Sequence, residues 1–209
     1  MHIPKNNTAG IEVMPFDDAL REALLPHPDY EVSDWLYVPN RYDEYRYILG
    51  TRGKNPLICV GINPSTAAPN DLDPTLKSAQ RIALANGYDS FLMFNVYAQR
   101  ATRPDDMERE RNLWLHGENM KAFSYLLSIA GEPPTVWAAW GAIIEKRSYL
   151  SDCVREMAEI ADRAGATWRH AGPLSVKGHP HHPLYLKSNT PLNPFDILTY
   201  LNKLKGSQR

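Results

Sequence analysis

An apolar stretch at 57–62, patterned as a buried strand, runs into the amide of Asn63, and Pro64, Ser65 and Thr66 follow at once. A second apolar strand, 90–94, also ends in an amide, Asn95, followed by Val96, Tyr97, Ala98, Gln99, Arg100, Ala101 and Thr102. A third polar segment carries His179, His181 and His182 between prolines, then Leu184 and Tyr185. A carboxamide offers an acceptor and two donors at one position, which suits it to orienting water or reading a heterocycle edge, yet it cannot take a proton from water. A histidine can give or take one near neutrality. The hydroxyls of Ser65, Thr66 and Thr102, the carboxylate of Asp73, the guanidinium of Arg100 and the side chains of Trp140, a candidate stacking platform, Leu184 and Tyr185 are then candidates for holding the rest of a ligand.

These side chains act together only if the fold brings them to one place. Between the two amide-terminated strands, Asp73 followed by Pro74 is an N-cap with proline at the first helical position, and Gly87 is a C-terminal stop. The strand, helix, strand order predicts a crossover joining parallel strands, which puts Asn63 and Asn95 at the same carboxyl edge of one sheet. Open α/β sheets bind their ligands at that edge. A third strand at 135–140 ends at Trp140 and Gly141, a fourth is expected at 166–170, and aromatic and β-branched residues at 35–38 and 45–51 predict a hairpin feeding the sheet. Helices are predicted over 104–130 and 142–164, with a closing helix from Pro194 capped by Asn193.

The expected fold is therefore α/β: a three-layer α/β/α sandwich whose central sheet is mainly parallel and four-stranded, plus an N-terminal β-hairpin. One domain over 1–209 is expected. Residues 1–33 form an irregular arm with a short helix around 17–25, and 34–209 form the α/β core.

Composition narrows the function classes. At 209 residues, 43% of them apolar and 22% charged, the chain can bury a core without metal or disulfide staples. No apolar run is long enough to cross a bilayer and the N-terminus does not read as a secretory signal, so a cytoplasmic location is expected. The two cysteines lie in a strand pattern and a helix pattern, as two separate reduced thiols. No cysteine cluster could hold zinc or iron and sulfur, and no cofactor is expected. A formal charge of −1 gives no general affinity for polyanions, so any nucleic-acid contact must come from a local basic face. Arg52, Lys54, Arg100, Arg103, Lys177 and Lys187 lie near the motifs.

The run Asn63, Pro64, Ser65, Thr66, Ala67, then Asp73, Pro74, Thr75, then Asn95 to Arg100 with Thr102, Trp140, Gly141 and His182 to Leu186 resembles a bacterial and phage family of unknown function, DUF1643. More remotely, Gly61, Ile62, Asn63, Pro64 resembles the first motif of the mismatch-specific and thymine-DNA branch of the uracil-DNA glycosylase superfamily, and His182, Pro183, Leu184 falls where its second motif would. That resemblance implies the glycosylase fold, with Asn63 positioning water and Asn95 reading a flipped pyrimidine. His182 would donate to the base oxygen and Leu184 or Leu186 fill the vacated stack. DNA or a nucleotide is the implied partner. Ser65 and Thr66 replace the glycine expected after Asn-Pro, and Asn63 stands where the strongest water-activating sites use a carboxylate.

Several readings stay open at this level. Asn63 and Asn95 could merely cap strand ends, and Asp73 a helix. Thr102 could cap the next helix, Arg100 pair with a surface acid, and Trp140 pack in the core. For His179, His181 and His182, an extended run between prolines points neighbouring side chains apart and no acidic or cysteine partner sits at ligand spacing, which argues against a metal. The functional alternatives are a glycosylase-like hydrolase acting on a modified or unusual pyrimidine, a non-catalytic nucleic-acid or nucleotide binding module, and a hydrolase of free nucleosides or nucleotides.

Overall fold

The structure, a computed structural model, describes residues 8 and 10–206. The first seven residues of the N-terminal arm and residue 9 lie outside them. A seven-stranded mixed sheet orders its strands β1-β2-β4-β3-β5-β6-β7. The strands are β1 (Trp35–Val38), β2 (Ile48–Thr51), β3 (Pro56–Gly61), β4 (Ser90–Asn95), β5 (Thr135–Ala138), β6 (Thr167–Ala171) and β7 (Leu192–Pro194). The pairs β4-β3, β3-β5 and β5-β6 are parallel, while β1-β2, β2-β4 and β6-β7 are antiparallel.

Every residue of β3 and β4 is buried, as expected of strands covered on both faces. Alternation sorts their side chains. Ile58, Val60, Leu92 and Phe94 join the larger core, and Leu57, Cys59, Phe91 and Met93 the smaller one on the opposite face. Burying a Leu, Ile or Phe in this way contributes about 1.5–3 kcal/mol per side chain. Helices α1 (Phe16–Ala23), α3 (Leu113–Ile129), α4 (Ser148–Arg163) and α5 (Ile197–Gly206) supply the larger core, and α2 (Pro74–Ala85) covers the other face. Cys59 and Cys153 are free thiols in these two separate cores. Among the described residues no helix is long and apolar enough to cross a membrane.

Three expectations need correction. The sheet has seven strands where four and a hairpin were expected: the hairpin feeds it as expected, Leu49 of β2 pairing with Met93 of β4, and β7, paired with β6, is the strand that was not foreseen. The helix expected over 104–130 begins only at Leu113, where the Asn112 side chain accepts from the N–H groups of Trp114 and Leu115. The carbonyls before it are engaged elsewhere: Arg147 donates to the Asp105, Met107 and Glu108 oxygens, and the Tyr149 hydroxyl donates to Glu108 O as well. The same holds at the C-terminus, where Asn193 and Pro194 belong to an edge strand and the Asp196 carboxylate caps the following helix through Thr199. Proline is tolerated on an edge strand, where its missing donor breaks no internal ladder.

Candidate functional site

Parallel pairing places Gly61 opposite Asn95, so β3 and β4 end side by side. The segments leaving them stay zipped: Val96 N–H donates to Gly61 O, Tyr97 N–H to Ile62 O and Ala101 N–H to Pro64 O, each at 2.9 Å. A cleft of about 490 Å³ opens at this edge. Gly61, Met93 and Asn95 line it from the sheet, Asn63, Ser65 and Thr66 from the loop after β3, Asp73 from the start of α2, Ala101 and Thr102 from the loop after β4, and His182 and Leu184 from the histidine segment. That segment is tied to α2 by the Ser78 hydroxyl, which donates to Pro183 O at 2.7 Å.

Asn95 is 1% exposed, and neither its Oδ1 nor its Nδ2 has a hydrogen-bond partner among the described residues. Its main chain is held instead: Asn119 Nδ2 donates to Asn95 O at 3.0 Å. A buried amide left unpaired on both atoms costs about 1–3 kcal/mol per atom, a cost that a ligand entering the cleft would remove. Glycine at residue 61 leaves this amide its room. A Cβ at that position would lie 3.1 Å from Asn95 Oδ1 and 2.6 Å from Met93 Cε.

Asn63 is arranged differently. Its Nδ2 donates to Ala101 O at 2.6 Å and to Pro64 O at 3.0 Å, which joins the two loops and leaves Oδ1 as the atom free to accept from a ligand or water. The loop beyond is held from behind by two buried guanidinium groups. Arg100 Nη1 donates to Ser65 O and Nη2 to the Tyr37 hydroxyl, while Arg46 Nη1 donates to Ala67 O at 2.9 Å.

The imidazole of His182 accepts at Nδ1 from Leu184 N–H at 3.4 Å, which leaves the proton of the neutral ring on Nε2 as a donor. Burial holds its pKa below the usual histidine value, with the Asp73 carboxylate opposing and His181 adding to the shift. The ring is therefore neutral at pH 7. Asp73 spends Oδ1 on Leu76 N–H as the α2 cap, and it is the one carboxylate among the described residues lining the cleft.

Of the residues singled out by sequence, Asn63, Ser65, Thr66, Asp73, Asn95, Thr102, His182 and Leu184 come together here. Three do not. Trp140 is buried in the larger core, where Nε1 donates to the Tyr200 hydroxyl at 3.0 Å, so it offers no face for stacking. Tyr185 is 81% exposed and lies off the cleft. Arg100 is 0% exposed and committed to the Ser65 loop, so it braces the site and cannot reach a phosphate at the surface. His179 turns away as well, with Nδ1 3.0 Å from the Tyr200 hydroxyl and Nε2 3.3 Å from Glu145. No cluster of three or more metal-ligating side chains occurs among the described residues.

Sequence reasoning missed Arg46 and Asn119. Arg46 stands in a hairpin stretch whose alternation gave no sign that a charge faces inward, and Asn119 lies inside a helix far along the chain. A polar residue in the apolar stripe of α3 was the available signal for the second.

Comparison with known proteins yields a family and no activity. A family model described as protein of unknown function (DUF1643) matches residues 46–184, and no curated protein and no solved structure matches. The match begins at Arg46 and ends at Leu184, the first and last of the described residues that line the cleft. The chain belongs to the DUF1643 family.

Proposed function

We propose that the cleft is a nucleobase site that reads a pyrimidine or modified pyrimidine through Asn95 and hydrolyses its N-glycosidic bond. The observation that carries this reading is the Asn95 side chain, buried at the cleft with both amide atoms unpaired. An amide in that state complements a partner that offers one carbonyl and one ring N–H in a plane, an edge that uracil and thymine present and that guanine shares, and the choice of a pyrimidine rests on the motif likeness. A hydrocarbon ligand would leave both atoms unpaired and gain nothing from them.

The remaining lining residues suit the reaction. In N-glycosidic cleavage the base leaves with negative charge while positive charge develops on the sugar, so a donor at the base and an acceptor near the sugar lower the barrier. His182 in its neutral form supplies the Nε2–H donor. Asn63 Oδ1 accepts from the attacking water and orients it, and Asp73 is the carboxylate that stabilises the sugar cation or receives the proton. The likeness of Gly61 to Pro64 and of His182 to Leu184 to uracil-DNA glycosylase motifs supports the same assignment. A base in a duplex reaches such a pocket only by leaving the stack.

A second reading, a base or nucleotide binding module without hydrolysis, is favoured by the bonding of Asn63. Both amide hydrogens are committed to the carbonyls of Ala101 and Pro64, so the residue already has a structural task. Incubation with oligonucleotides, nucleosides and nucleotides bearing uracil, thymine in mismatch and modified pyrimidines separates the readings. Hydrolysis releases free base, detected by mass spectrometry, and ceases in Asn95→Ala. Binding without release on every member of the panel leaves the module reading and removes the hydrolase.

A further inference from the structure

Arg46 is a cleft residue that base recognition leaves without a task. The residue is 1% exposed yet lines the cleft, Nη1 donates to Ala67 O at 2.9 Å, and Nε has no partner among the described residues. Arg100 serves the same loop, is 0% exposed and also has an unpartnered Nε. Its contacts are the Ser65 carbonyl, the Tyr37 hydroxyl and the face of Tyr42, 4.2 Å from Cζ. Every one of these partners is neutral. Two guanidinium groups withdrawn from water onto neutral hydrogen-bond partners keep much of their desolvation cost and repel each other, and the Asp43 carboxylate, which favours the charge of Arg100, and Asp73, which favours that of Arg46, offset only part of it. Burial, then the like charge of Arg100, push the Arg46 pKa down to about 9, so it remains a cation at neutral pH; Asp73, Tyr37 and Tyr42 act in the opposite sense.

An incoming anion is the group that would relieve this arrangement. Ser65 and Thr66 add hydroxyl donors in the same cleft wall, and the first residues of α2, Pro74 to Leu76, line the cleft too. A charged oxyanion on a guanidinium makes hydrogen bonds about twice as strong as neutral ones. The cleft volume of about 490 Å³ is within the range for a small-molecule site.

We propose that the wall formed by Arg46, Ser65 and Thr66 binds the phosphate monoester of a mononucleotide whose base is read by Asn95. This rests on the nucleobase reading of the same cleft and specifies its substrate class. Depth decides between the two sources of phosphate. A terminal phosphate can enter a cleft to reach a side chain 1% exposed, whereas a phosphodiester needs chain leaving it on both sides.

The test titrates the full chain calorimetrically with inorganic phosphate, deoxyuridine, deoxyuridine monophosphate and a dinucleotide whose sole phosphate is the internal diester. The monophosphate should bind at least about tenfold tighter than the nucleoside, a gain of about 1.4 kcal/mol. Arg46→Gln should erase that gain and leave nucleoside affinity as it was. Thr66→Val, at an exposed position that leaves the fold intact, should weaken the monophosphate alone by several-fold, and it decides the matter if Arg46→Gln does not fold. Equal affinity for nucleoside and monophosphate overturns the proposal, as does an Arg46-dependent gain confined to the diester. If inorganic phosphate binds and is lost in Arg46→Gln while no nucleoside binds, the phosphate wall stands and the base reading falls.

Discussion

Gly61 and Asn95 are register partners on adjacent parallel strands, and the missing side chain of the first makes room for the amide of the second. Gly61→Ala would bring Cβ within 3.1 Å of Asn95 Oδ1, while the clash with Met93 Cε at 2.6 Å meets the flexible end of a side chain that can move. Overpacking of this kind costs about 1–3 kcal/mol. Ligand affinity should fall about tenfold or more as Asn95 is displaced, which titration checks against a thermal melt of the same variant.

Asn95→Ala should behave unlike an ordinary core truncation. It removes two buried polar atoms that have no partner, so the roughly 1–3 kcal/mol penalty of each disappears with them. Stability should be unchanged or higher in urea denaturation, while base binding is lost. A destabilisation of several kcal/mol would mean that the amide has a structural partner.

The bonding of Asn63 predicts the outcome of adding the carboxylate that a stronger water-activating site would carry. Asn63→Asp replaces two N–H donors with acceptors facing the carbonyls of Ala101 and Pro64. Loss of about 1–3 kcal/mol of stability and no gain in turnover are expected, measured by denaturation and by base release.

His182 should impose an acid limb on activity. Its folded pKa lies below the ordinary 6.5, so the ring stays neutral down to that lowered value; protonation below it keeps Nε2–H but takes away the Nδ1 acceptor of Leu184 N–H and unseats the ring from the cleft wall. The sign for stability follows. Between the two pKa values the unfolded chain binds a proton that the folded one does not, so His182 lowers stability as pH drops through that window. Asp73→Asn removes the charge that opposes the shift and should move the His182 titration, followed by NMR of the ring, to still lower pH.

Trp140→Phe separates a core role from a stacking role. It removes the donor to the Tyr200 hydroxyl and part of the larger core, for a cost of about 1–3 kcal/mol. Ligand affinity should stay within about twofold, at a position where a stacking platform would lose about 1–3 kcal/mol per base.

The parallel pairing of β3 with β4 was legible because Asp73-Pro74 and Gly87 mark the crossover helix, and with it came the shared edge of Asn63 and Asn95. The bond network that decides what each amide does was not legible. It depends on Ala101, Asn119 and Pro64, whose contacts arise from loop geometry and not from local pattern. Arg100 and Trp140 were read as reaching a ligand because residue type suggests reach, and burial overrode type in both. The edge strand at Leu192–Pro194 escaped because its proline and its short length match a helix start as well as a strand.

The central claim, that Asn95 reads a pyrimidine, is tested most directly by NMR of the Asn95 side-chain amide, assigned by its disappearance in Asn95→Ala. Titration with pyrimidine nucleosides and nucleotides should shift the Nδ2 protons downfield as they gain an acceptor, with purine ligands leaving them unmoved. If no pyrimidine on the panel moves that resonance, or if purines move it equally, the cleft is not a pyrimidine site and the proposed function is wrong.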